Sequence, residues 1–226
     1  MHQKTRYHGL DQLRGIGVVL MIIFHFCYDL NAHKLGIIPL ESRLFWYWLP
    51  RLIVFIFLVC VGISLRLAHF PVVKWKAFFT RFGLIAGSAL CISVVTFFIF
   101  PKNWVYFGTL HCIALCSLAA IPFLKIPKIS LILSILILAP VLIFDYRYPW
   151  INLNPKSMDY EPFLPWFYVC LLGIFIESTN LIGRFYLPKK AGGEILQYLG
   201  KKALIIYLIH QPILFGLTAL LAKILR

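Results

Sequence analysis

Charge is scarce in this chain. Asp, Glu, Lys and Arg make up 13% of its 226 residues, and only 8 residues are acidic, whereas an ordinary soluble domain is about a quarter charged. The shortage excludes a soluble enzyme. It also argues against reading the net charge of +14 as the mark of a nucleic-acid binder. Such proteins carry Lys and Arg on a stripe over a soluble core, and here the basic residues separate apolar runs too long for any core helix. No nucleic acid is expected as a partner. The six cysteines, Cys27, Cys60, Cys91, Cys112, Cys116 and Cys170, all lie in apolar runs and lack the paired spacing of a zinc site. They read as small buried hydrophobes, with no metal and no disulfide expected. The first apolar run, Gly15 to Tyr28, lacks a small-residue cleavage site and leads into Asp29, Asn31 and His33, so a retained helix is expected rather than a cleaved signal peptide.

What the chain has instead is apolar length: 61% of its residues are hydrophobic. A membrane helix needs about 20 mainly apolar residues, and seven segments qualify: 12–31, 44–65, 80–100, 104–124, 129–146, 163–180 and 203–225. The expected fold is an all-α, polytopic membrane helical bundle of about seven transmembrane helices. Residues 1–226 form a single transmembrane domain in this reading, with the lipid bilayer as its surroundings and homo-oligomerisation left open.

Basic residues orient the spans, because cytoplasmic loops carry the excess of Lys and Arg. Lys4, Arg6 and Arg14, the 66–81 loop (Arg66, Lys74, Lys76, Arg81), Lys125 with Lys128, and the 184–202 loop (Arg184, Lys189, Lys190, Lys201, Lys202) fall on one side. That side and the N-terminus are therefore expected to be cytoplasmic. Asp145, Asp159, Glu161 and the tryptophans at 46, 48, 104, 150 and 166 fall on the other side, with aromatics at headgroup depth.

Ionisable residues inside a span are costly and mark candidate functional sites. On the first helix Asp11, Arg14, His25 and Asp29 fall within roughly a 60° arc at about 100° per residue, which makes one polar seam. His25 lies about 16 Å beyond Arg14 along the axis, so Arg14 is expected near the cytoplasmic mouth and His25 near mid-membrane. His111 and His210 are each about 12 Å from their own membrane surface by the same rise. Three histidines are thus expected at similar depth.

Imidazole is the side chain suited to proton transfer near neutral pH. Asp29, one turn from His25, could orient that ring as the third member of a hydrolase triad does, or could form a buried ion pair with Arg51 of the second helix. Tyr207 and Gln211 flank His210 at helical spacing and Pro212 frees a carbonyl nearby, so His111, Tyr207, His210, Gln211 and Arg51 are candidates for a substrate pocket or for polar packing. Arg14 suits phosphate through its fork of donors. Among the remaining histidines only His33 draws weak interest.

The run Tyr7-His8-Gly9-Leu10-Asp11-Gln12-Leu13-Arg14-Gly15-Ile16, leading to Phe24-His25-Phe26-Cys27-Tyr28-Asp29-Leu30, resembles the opening of bacterial members of the heparan-α-glucosaminide N-acetyltransferase family, a branch of the integral-membrane acyltransferases. Phe107-Gly108-Thr109-Leu110-His111, Asp159-Tyr160-Glu161-Pro162, Pro165-Trp166, Leu172-Gly173, Leu199-Gly200 and Tyr207-Leu208-Ile209-His210-Gln211-Pro212 continue the likeness in order. Arg14 followed after ten residues by His25 also resembles the arginine-histidine spacing of related polysaccharide-modifying acyltransferases.

The resemblance implies a membrane-embedded acyltransferase of the bacterial inner membrane. It would carry an acyl group, acetyl by analogy, from cytoplasmic acyl-CoA to an amino or hydroxyl group of a cell-envelope sugar or glycan. It further implies that Arg14 binds the donor phosphates of acetyl-CoA and that His25, with Asp29, is catalytic. The rival reading from another class is a proton-coupled small-solute transporter, since lines of His and Asp also make proton relays. Against it, the chain shows no two-fold repeat of the kind many transporters have.

Overall fold

A computed structural model of the protein describes residues 8–36, 38–153, 156–179 and 192–225. Among these residues the regular structure is helical. In chain order the helices are α1 (His8–Ala32), α2 (Leu49–His69), α3 (Trp75–Ile99), α4 (Thr109–Ala119), α5 (Pro127–Phe144), α6 (Phe163–Ser178), α7 (Gly193–Lys201) and α8 (Ala203–Ile224). A π-helical turn, Leu44–Trp48, leads into α2, and a 3₁₀ turn, Ile121–Lys125, follows α4.

Among the described residues five helices are long and apolar enough to cross a membrane: α1, α2 with its preceding turn, α3, α5 and α8. Two further apolar helices, α4 and α6, are shorter. The protein is thus an all-helical, multi-pass membrane protein. The expected span at 104–124 is reduced to the 11 residues of α4, about 16 Å of helix against a hydrocarbon core of about 30 Å. Residues 104–108 ahead of it are not helical and the 3₁₀ turn Ile121–Lys125, with Pro122 near its start, follows, so α-helix occupies only the middle of that apolar run.

The described residues divide into two compact units. One contains the chain up to Phe57 together with the residues from Gly192 onward; the other runs from Leu58 to Thr179, with the division inside α2. In the first unit α1 packs against α7 and α8. The α7 contact is close: a Cβ on Gly15 would collide with the Leu196 carbonyl, and one on Gly200 with the Asp11 carbonyl. Gln12, 1% exposed, donates from Nε2 to the Gly193 carbonyl at 3.2 Å.

Helix α7 corrects the expectation of a cytoplasmic loop over 184–202. Its inner face is Gly193, Leu196, Gln197 and Gly200, an i, i+3, i+4, i+7 pattern in which two positions are glycine. A hydrophobic count therefore passes over it. Arg184, Lys189 and Lys190 of that expected loop, like His2, Lys4, Arg6, Tyr7 and Arg226, lie outside the described residues.

In the second unit, helix crossing again uses small residues. Gly62 of α2 and Gly173 of α6 face each other, and a Cβ on Gly173 would stand 3.1 Å from the Gly62 Cα. Small residues at such crossings let backbones approach where lipid offers no hydrophobic driving force. Ser134 of α5 donates to the Tyr168 carbonyl of α6 at 3.0 Å. Arg66 pairs through Nε with Glu177 at 2.6 Å and donates to the Leu124 carbonyl.

Replacing Gly200 by Val should destabilise the protein by about 1–3 kcal/mol or more, the cost of overpacking a tight contact, seen as a lower thermal midpoint in detergent. Gly216→Ala on α8, where nothing lies within 4 Å of the added Cβ, should leave the midpoint unchanged or slightly raised.

Candidate functional site

The polar seam of α1 has two ends. Near its start Arg14 Nη1 meets Asp11 Oδ1 at 2.7 Å, one helical turn apart, with the two side chains 18% and 5% exposed. This contact presents the guanidinium beside a buried carboxylate.

At the far end α1, with the turn just past it, faces α8 along three rungs. The rings of His25 and His210 meet edge to face with centroids 4.8 Å apart. One turn on, Gln211 donates from Nε2 to Asp29 Oδ1 at 2.9 Å. One turn further, the ring of His33 lies 5.0 Å from that of Phe215. The rungs advance in the same direction on both helices, so α1 and α8 run parallel here. Each step of four residues on α1 is about 6 Å.

Asp29 therefore answers to α8. It bonds neither His25 nor Arg51: Oδ1 takes the Gln211 amide and Oδ2 has no partner among the described residues. Arg51 is exposed, donates to the Tyr47 carbonyl at 2.7 Å and lies 3.6 Å over the Tyr47 ring. The ion pair that Arg51 could have made with Asp29 does not form, because an arginine folded back over the turn before its own helix satisfies itself there.

Four of the side-chain atoms buried without a hydrogen-bond partner among the described residues belong to this ladder: Asp29 Oδ2, His33 Nε2, His210 Nε2 and Gln211 Oε1. A buried polar atom left unpaired costs about 1–3 kcal/mol. Concentrating that cost on two helix faces marks a place where a ligand's polar groups would be stabilising.

His111 sits in the other unit and is bonded at both ring nitrogens. The Gly108 N–H donates to Nδ1 at 3.1 Å, so Nε2 carries the hydrogen and donates to Ser93 Oγ at 3.0 Å. Ser93 in turn donates to the Val105 carbonyl at 2.6 Å. Such a fully satisfied imidazole ties α4 to α3.

Asp159 completes this knot from 50 residues away. It accepts the Thr109 N–H at 2.9 Å and the Thr109 hydroxyl at 3.2 Å, stabilising the positive end of α4. Gly108 leaves room for that carboxylate, which a Cβ would strike. Beside it Phe107 and Tyr160 form an isolated β-bridge. Burial, and then the neighbouring Tyr106 phenol, push the Tyr160 phenol above its ordinary range, and its hydroxyl donates to the Ile151 carbonyl at 2.7 Å.

The motifs that the resemblance rests on thus become contacts: 107–111 with 159–161, 11–15 with 196–200, and 25–29 with 210–211. A family model for the catalytic domain of heparan-alpha-glucosaminide N-acetyltransferase matches residues 6–212. The chain belongs to that family. It is accordingly a membrane acetyltransferase by class. No curated protein and no solved structure matches the chain.

In this family member the structure brings His25, Asp29, His210 and Gln211 together, with Tyr207 alongside through its carbonyl, 2.8 Å from His210 Nδ1, and its ring, 5.7 Å from the His210 ring. Arg14 lies at the other end of α1, and Arg51 points elsewhere. His33 joins the ladder, and its spacing of four from Asp29 was the available signal. Among the described residues no group of three His, Cys, Asp or Glu side chains is placed to hold a metal ion. Cys112 and Cys116, with sulfurs 3.8 Å apart, are buried together with Cys170.

Asp159→Ala should lower stability by about 1–2 kcal/mol through loss of the α4 cap, read as a drop in thermal midpoint. Any remaining folded protein should keep the activity proposed below.

Proposed function

We propose that this protein moves an acetyl group from cytoplasmic acetyl-CoA to an amino or hydroxyl group of a cell-envelope sugar, within the bacterial inner membrane and as one functional domain. The observation that carries the reading is the α1–α8 ladder, where two imidazoles, a carboxylate and an amide meet with polar atoms left unpaired. Imidazole beside a reacting acyl group can take the proton of the attacking nucleophile or carry the acyl group briefly. His25 is the residue to which the arginine-histidine spacing assigns the reaction. Asp29 and Gln211 would hold the acceptor.

Arg14, at the N-terminal and cytoplasmic end of α1, would bind donor phosphate through charge-assisted bonds. Its partner Asp11, one turn back, fixes where the guanidinium sits. In the other unit Lys74, Lys76 and Arg81 line an open recess with Trp75 at the start of α3, a separate basic surface. The balance of the reaction is simple. A new bond forms from the acceptor N or O to the acyl carbon, the C–S bond of the thioester breaks, and the proton lost by the acceptor ends on the CoA thiolate.

The test is transfer from radiolabelled acetyl-CoA to glucosamine by purified protein in detergent. Wild type should transfer label, and His25→Ala should lose about 10²–10⁴-fold in rate. Arg14→Ala should raise KM for acetyl-CoA about tenfold or more, the worth of one bond to a charged group, with a smaller effect on kcat. Equal rates for wild type and His25→Ala would remove His25 from the reaction.

A further inference from the structure

His210 and His111 differ in one respect that bears on chemistry. The Tyr207 carbonyl can only accept, so its 2.8 Å contact requires Nδ1 of His210 to carry the ring hydrogen. In the neutral ring Nε2 is then a bare lone pair. That atom is buried and has no partner among the described residues, in a residue only 7% exposed, whereas both nitrogens of His111 are taken. Among the described residues His25 has no hydrogen bond to set its tautomer. A backbone carbonyl thus does for His210 what the carboxylate does for the histidine of a hydrolase triad: it fixes which nitrogen is free to act as base.

The neighbours of this lone pair have the same polarity. Asp29, 1% exposed, holds Oδ2 unpaired, and Gln211, having given Nε2 to Asp29, holds Oε1 unpaired. Three buried acceptor atoms lie on adjacent rungs. Such a set suits a group that brings hydrogens, not a phosphate or a thioester, which bring acceptors of their own.

We propose that His210 Nε2 is the base that takes the proton of the acceptor nucleophile, with Asp29 Oδ2 and Gln211 Oε1 receiving hydrogen bonds from adjacent O–H or N–H groups of the same molecule. This assignment rests on the acyl-transfer reading above and sharpens it, giving the acceptor's proton to the α8 side and leaving His25, opposite on α1, to position the thioester for direct attack. As the acceptor N or O bonds to the acyl carbon, its proton passes to Nε2. The C–S electron pair leaves with sulfur, and Nε2 returns the proton to the CoA thiolate.

His210→Asn is the informative variant, since an Asn amide can still donate to the Tyr207 carbonyl but offers no basic nitrogen. With radiolabelled acetyl-CoA and glucosamine it should lose about 10²–10⁴-fold in kcat while KM for acetyl-CoA stays within about threefold of wild type. His210→Ala, checked for folding by its elution and thermal midpoint, should regain about tenfold or more of its rate with added imidazole, which supplies the missing base. A His210→Asn rate within about threefold of wild type overturns the proposal, as does a folded His210→Ala that imidazole leaves inactive. A wild-type protein that transfers no acetyl at all removes instead the acyl-transfer reading on which it rests.

Discussion

In an apolar chain that spans a membrane, each buried polar atom must find a partner within the protein, because lipid supplies none. That constraint organises both units. His111, Ser93, Asp159 and Thr109 close a network in which these donors meet acceptors, and Arg66 is neutralised by Glu177. Against that background the α1–α8 ladder differs, with four polar atoms left open on its rungs. Where pairing is the rule, a cluster of unpaired atoms is the mark of a site.

The ladder depends on a second requirement, close helix approach. Side chains as short as Asp29 reach a partner on α8 only if the helices are held at fixed height and rotation. Part of that is done at the other end of α1, where Gly15 and Gly200 admit the carbonyls of Leu196 and Asp11 and Gln12 bonds Gly193. α7 leads directly into α8, so the contact that seats α7 on α1 also sets where α8 begins. Glycine serves packing here through the absence of a side chain, not through turn geometry. The same device recurs at Gly62 and Gly173.

Much of the fold was legible in residue patterns. Apolar runs located the helices, and the 60° arc placed Asp11, Arg14, His25 and Asp29 on one seam, whose two ends the structure keeps distinct. Helix α7 was not legible, because its packing face is partly glycine and its flanks are lysine. The length of α4 was not legible either, since the Asp159 that caps it lies 50 residues away. For Asp29 the residue pattern leaves two partners open, His25 and Arg51, and the structure uses neither: Gln211 takes Oδ1, while the exposed Arg51 guanidinium is met by the Tyr47 carbonyl and ring face.

The sequence by itself determined that the protein lives in a membrane, that α1 carries the ionisable seam, and that the family is one of membrane acetyltransferases. Composition, periodicity and ordered motifs are local properties and survive without coordinates. Only tertiary structure decided which polar residues share a rung. Asp29 pairs with Gln211, His25 faces His210, and the Tyr207 carbonyl sets the His210 tautomer. His111, indistinguishable from His210 by residue type and depth, is a fully bonded strut. Hydrogen bonds act over about 3 Å, so the difference between a strut and a base rests on helix positions too fine for spacing along the chain to specify.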